Sequence, residues 1–77
     1  MQYVYILMCK NGTLYTGCTN NLKDRMGRHL ARQVASTKNR FPIKLIYYSA
    51  FTDKYKAFAF EKYLKSGSGR AFVKKHF

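Results

Sequence analysis

Residues 2–9, QYVYILMC, and 13–18, TLYTGC, are short alternating runs rich in β-branched and aromatic side chains, and Asn11-Gly12 stands between them. Asn-Gly flanked by alternating apolar residues is the strongest short-range hairpin signal. The chain therefore opens as two antiparallel strands. Their register decides what the tyrosines do, because a one-residue slip sends every side chain to the opposite face. A two-residue loop pairs Lys10 with Thr13 and puts Tyr5 and Tyr15 on opposite faces. A three-residue loop, with Gly12 in a left-handed bulge position, pairs Cys9 with Thr13 instead. Tyr3, Tyr5, Leu7 and Tyr15 then share one face, and Val4, Ile6, Met8 and Leu14 the other. This second register separates an aromatic, polar face from an aliphatic one and is the one expected. Gly17 then leaves room above the sheet on the tyrosine side. The plain alternative is that the tyrosines are cross-strand packing and nothing more.

The period changes at residue 19. In TNNLKDRMGRHLARQV, Leu22, Met26, Leu30 and Val34 recur at i, i+4, i+8 and i+12, the stripe of an amphipathic helix over 19–34. Asn20 or Asn21 is its N-cap and Asp24 suits the first turn. Gly27 costs such a helix about 1 kcal/mol against Ala, which suggests close approach by another group. ASTKNRFP is a polar, basic loop. IKLIYYSAF, 43–51, carries little polar interruption and reads as a central strand. Thr52 or Asp53 caps a second helix, KYKAFAFEKYLKSG, with Gly67 at its left-handed stop. SGRAFVKKHF, reaching Phe77, is a short last helix capped by Ser68. The expected fold is α/β (α+β): a three-stranded antiparallel sheet flanked by helices, order ββαβαα, in a single domain over 1–77.

The charge narrows the partners. Fifteen Lys and Arg face three acids, a net +12. Self-repulsion on that scale points to a polyanion, nucleic acid first and acidic membrane second. No apolar run approaches the roughly 20 residues that span a bilayer, and no leader pattern is present. A soluble, cytoplasmic protein is expected, with no membrane association. Cys9 and Cys18 fall on opposite faces or several residues apart in either register, beyond the roughly 7 Å Cα limit for a disulfide. With His29 and His76 they also lack zinc spacing. They are expected to be small, buried and reduced.

Three further residues turn the tyrosine face into a candidate site. Arg25, His29 and Arg32 lie at i, i+4 and i+7 on one flank of the first helix, so they can converge beside the sheet. On the second helix Ala57, Phe60 and Leu64 form the buried stripe, with Glu61, the sole glutamate, at its edge. The bland role for Glu61 is an i,i+4 pair with Lys65, worth about 0.3–0.5 kcal/mol. The functional one is a ligand for a cation such as Mg²⁺, which commonly takes one or two carboxylates plus waters and phosphate oxygens.

The ordered set YVY at 3–5, YTG at 15–17, Arg25-x-x-x-His29 and Glu61, with the EKYLKSGSGRAF tail, resembles the GIY-YIG nuclease family over nearly the whole chain. It looks like the small stand-alone branch related to the nuclease module of the excinuclease C subunit. Tyr3, Val4 and Thr16 replace side residues of the two name motifs. The resemblance implies hydrolysis of DNA phosphodiesters with a single divalent cation, Mg²⁺ or Mn²⁺. It implies that Tyr5 and Tyr15 are the motif tyrosines, Tyr5 being the favoured general base. Arg25 then contacts the scissile phosphate, His29 assists, Glu61 binds the metal, and Gly17 lets the phosphate approach. The family's late asparagine has no counterpart after Glu61, so Lys62 or Lys65 stands in. Arg28 and Arg32 join them as substrate-binding candidates. Individually, Arg28 and the other surface cations read first as solvated charges and only second as phosphate contacts.

The chemistry is coherent. A free phenol titrates near about 10, so a neighbouring cation such as Arg25 is expected to lower it toward a useful base. Arg25 offers a planar fork for phosphate. A non-catalytic nucleic-acid-binding module on the same fold is the alternative, and a membrane-surface or ribosomal accessory protein a third. The third lacks its continuous basic amphipathic helix. The family usually draws specificity from an appended domain, so low-specificity cutting, structure-specific or in repair or recombination, or a protein partner that supplies specificity, is expected. Nothing in the sequence fixes the oligomeric state.

Overall fold

The computed structural model describes residues 1–76. Its order is β1 (Gln2–Met8), a single 3-10 turn (Lys10–Gly12), β2 (Leu14–Thr19), α1 (Leu22–Leu30), β3 (Lys44–Phe51), α2 (Lys54–Lys65) and α3 (Gly67–His76). The ββαβαα order is thus the expected one; the end of the last helix at Phe77 lies outside the described residues.

The hairpin adopts the three-residue loop. The Cys9 amide donates to the Thr13 carbonyl at 2.7 Å, and the Gly12 amide to the Cys9 carbonyl at 3.1 Å. Asn11 and Gly12 both take positive φ, 63° and 73°, which Asn and Gly tolerate best. Tyr5 consequently pairs with Gly17 and Leu7 with Tyr15, so the tyrosines share a face. Cys9 and Cys18 are both free thiols.

All three strands are antiparallel, but their order is β2-β1-β3. The expectation that β3 is central is therefore corrected. β1 takes that place, paired on both sides, with Val4, Tyr5, Ile6 and Leu7 fully buried. At about 1.5–3 kcal/mol for each large apolar side chain removed from water, this segment organises the fold. The sheet divides two apolar clusters. Val4 and Ile6 pack with Ala57, Leu64 and Val73 of α2 and α3. Tyr5, Leu7 and Cys9 pack on the other face with Leu22 and Met26 of α1.

α1 is shorter than its apolar spacing predicts. Asn21 caps it, its Oδ1 accepting from the Asp24 amide at 3.0 Å. It ends at Leu30, where the Gln33 amide bonds the Arg28 carbonyl and the Arg32 amide the His29 carbonyl. This is the Schellman arrangement, with Arg32 in the left-handed position at φ 60°. Arg32 is held there by its guanidinium, which donates to the Lys38 carbonyl at 2.7 Å and lies 3.9 Å over the Phe41 ring. Leu30 is exposed, and His29 is buried in its stead. Nothing approaches the Gly27 Cα, contrary to the close contact expected there.

Asp53 caps α2, accepting from the Tyr55 amide at 2.8 Å. The anticipated left-handed stop at Gly67 is absent, since Gly12 is the only glycine with positive φ among the described residues. Ser66, not Ser68, makes the junction. Its amide bonds the Tyr63 carbonyl to close α2, and its carbonyl accepts from Arg70 as α3 begins. Its hydroxyl also accepts from the Gly69 amide. Gly69 is required for the docking of the two helices, because a Cβ there would collide with the Tyr63 carbonyl and the Leu64 Cα.

Candidate active site

Tyr5, Tyr15 and His29 meet on the α1 face of the sheet. Ring centroids are 6.3 Å apart for Tyr5–Tyr15, 5.6 Å for Tyr5–His29 and 5.4 Å for Tyr15–His29. Register brings the tyrosines together, and the helical period turns His29 down onto them. Tyr5 is fully buried while Tyr15 is half-buried, so solvent reaches Tyr15.

A buried hydroxyl without a partner costs about 1–3 kcal/mol, and Tyr5 finds its partner in His29. The Tyr5 hydroxyl and His29 Nε2 are hydrogen-bonded at 2.8 Å, and His29 Nδ1 and the Thr37 Oγ at 2.7 Å. His29 and Thr37 are both inaccessible to solvent. The loop after α1 holds Thr37 in place, its amide bonding the Val34 carbonyl and its carbonyl accepting from the Arg40 amide. Thr37 is the member of the site that sequence reasoning missed. It lies in a polar loop with no periodicity, and only the buried imidazole beside it shows its use.

Burial sets the electrostatics. It pushes the Tyr5 phenol above its ordinary value, with a further upward push from Tyr15 and a smaller one from Glu61, against a downward pull from Arg25. The expectation that cationic surroundings lower the Tyr5 phenol is therefore corrected: loss of hydration outweighs Arg25. Burial, with Arg25 second, holds His29 below the ordinary imidazole range. Both groups are neutral near pH 7. Because each of Tyr15, Arg25 and Glu61 perturbs Tyr5, all lie within its electrostatic reach.

Glu61 belongs to α2, on the other side of the sheet, but α2 also packs on the edge strand β2. The Tyr5 ring lies over that strand at Gly17, where an added Cβ would strike the phenol. Gly17 thus makes room for Tyr5, where free space above the sheet was expected. The Glu61 side chain is 22% exposed and its Oε2 accepts from the Lys65 ammonium at 3.0 Å. The other two acids are engaged elsewhere: Asp24 pairs with Arg28 on the exposed face of α1 and Asp53 caps α2. Glu61 is the one acid whose charge reaches Tyr5, and the weakest of the influences on it.

The remaining candidates are dispersed. Arg28 is tied to Asp24, Arg32 to the loop after α1, and Lys62 is exposed on α2. Lys65 joins the site through Glu61. No cluster of three or more His, Cys, Asp or Glu exists among the described residues. The donor set therefore does not form an all-protein cage. It fits a hard divalent cation that takes one carboxylate, waters and substrate oxygens.

Residues 1–75 match the family model described as the GIY-YIG catalytic domain. A UPF0213 protein of Clostridium perfringens is 47% identical over 66 residues, covering 84% of this chain and 71% of that protein. A UPF0213 protein of Streptococcus agalactiae is 38% identical over 78 residues, covering 96% and 89%. The solution NMR structure of a UPF0213 protein from Bacillus halodurans aligns with a TM-score of 0.61 at 33% identity, covering 97% of this chain and 84% of that one.

Proposed function

The chain belongs to the GIY-YIG nuclease family, in its small UPF0213 branch, and from that premise we propose that it is a metal-dependent endonuclease hydrolysing DNA phosphodiesters. The observation that carries the reading is the buried Tyr5–His29–Thr37 hydrogen-bonded chain, with the Tyr15 ring packed against it and the charges of Arg25 and, more weakly, Glu61 within reach of Tyr5. Any buried phenol needs a hydrogen-bond partner; an imidazole backed by a second hydroxyl goes further, because it can take up the phenol's proton.

Phosphodiester hydrolysis needs an activated water and relief of charge on the phosphoryl oxygens. Tyr15, the phenol that solvent reaches, orients the water. Tyr15 takes the water's proton and passes its own to the buried Tyr5, which in turn hands its own to His29 Nε2. Tyr5 thereby remains a neutral phenol, and no buried phenolate forms. The resulting imidazolium donates from Nδ1 to the Thr37 oxygen and from Nε2 back to Tyr5. Arg25 opposes that positive charge in the free protein, and the arriving phosphate reverses the local field. Arg25 also offers its fork to the phosphoryl oxygens. Glu61 would hold a divalent cation, Mg²⁺ or Mn²⁺, which neutralises charge on the phosphate when bound.

The Glu61–Lys65 pair supports a second reading, a DNA-binding scaffold in which Glu61 is merely structural. Nicking of supercoiled plasmid in Mg²⁺ or Mn²⁺ separates the two. The endonuclease reading expects nicking by wild type, suppressed by chelation and at least about a hundredfold weaker in Glu61→Ala and Arg25→Ala. Nicking that survives both substitutions, or DNA binding without any nicking, would favour the scaffold.

A further inference from the structure

We propose that a cleft between the hairpin and α3 seats an unpaired DNA strand running out of the nuclease site. The cleft, of about 700 Å³, lies on the sheet face opposite the Tyr5–His29 pair. Leu14, Leu64 and Val73 give it an apolar floor, and Lys65, Arg70 and Lys74 line it with three cations and no acid. The ring of Tyr15 packs against His29 in the candidate site, and Tyr15 also lines the cleft. Lys65 lines it too and holds Glu61. The two places are therefore continuous around the β2 edge.

The lining selects the occupant. Lys65 is already paired with Glu61, which leaves Arg70 and Lys74 to call for a polyanion and to disfavour a second copy of this chain, whose net charge is +12. The apolar floor then discriminates between forms of DNA. A duplex keeps its base faces stacked inside and offers a cleft little but phosphates. An unpaired strand exposes base faces for apolar contact while its phosphates meet the cations. Arg70 and Lys74, one turn apart on α3, lie on the side of the helix that faces the hairpin. The assignment rests on the nuclease reading, and it makes the substrate a junction with a single-stranded arm.

Binding measured without metal tests the cleft apart from catalysis. The probe is fluorescein-labelled oligothymidylate against a hairpin duplex of equal nucleotide number, read by anisotropy in chelator over a salt series. The cleft predicts tighter binding of the unpaired strand. Arg70→Ala with Lys74→Ala should lower the magnitude of its log–log salt slope by about 1.4, roughly 0.7 for each phosphate that is no longer neutralised. Leu14 is 38% exposed, so Leu14→Ser should keep the fold, weaken oligothymidylate several-fold and leave the slope unchanged. Equal or tighter duplex binding, or variants that move neither affinity nor slope, would overturn the proposal. So would a dimer in light scattering that Leu14→Ser dissociates. Plasmid nicking that fails while these binding results hold would remove the nuclease reading and leave the cleft standing.

Discussion

Thr37 shows how much a single hydroxyl can carry. His29 is buried and held below the ordinary imidazole range, chiefly by that burial. An unfolded histidine titrates near about 6.5, so below that pH the unfolded chain binds a proton that the native state refuses. Stability is therefore full above about pH 6.5 and lost as pH falls toward the folded value. Urea melts between neutral and mildly acidic pH should show this decline, and a His29→Gln variant, whatever its absolute stability, should show a shallower one. Thr37→Val leaves Nδ1 unpartnered and should cost about 1–3 kcal/mol, with Thr37→Ser restoring most of it. Thr37 acts through His29, so the same valine variant should also move the acid limb of the cleavage–pH profile. A purely structural threonine would lower stability and leave that limb in place.

Among the elements, the hairpin was the most legible. Asn11-Gly12 and the segregation of aromatic from aliphatic residues pointed to the register that places Tyr5 opposite Gly17. The cap of α1 and the buried face of α2 could be read in the same way. The end of α1 could not, because its left-handed position is filled by Arg32 and not by glycine. The apolar spacing therefore runs on to Val34 and puts on a flank an imidazole that is buried. Sheet order was equally hidden, since β3 carries as continuous an apolar run as a central strand. The two helical glycines make the point testable. The space around Gly27 is open, so Gly27→Ala should stabilise by about 0.5–1 kcal/mol through helix propensity alone. Gly69 abuts backbone, which cannot yield as a side chain can, and Gly69→Ala should destabilise by about 1–3 kcal/mol. Thermal melts of the two variants check both signs.

At the scale of the whole molecule, the net charge of +12 is a standing cost to compactness and a standing attraction for DNA. No helix among the described residues is long and apolar enough to cross a membrane. Raising salt from low ionic strength to about 0.3 M should therefore raise the melting temperature by screening self-repulsion while weakening DNA binding; two curves of the same sign would contradict this.

The central claim is that Glu61 serves catalysis and that its contact with Lys65 is not its purpose. The direct measurement is cleavage and DNA affinity taken together on Glu61→Gln, which keeps the shape of the side chain and removes its charge. The account predicts cleavage reduced by about a hundredfold or more with DNA affinity unchanged or slightly tighter. A glutamine variant that cuts DNA at the wild-type rate would contradict it.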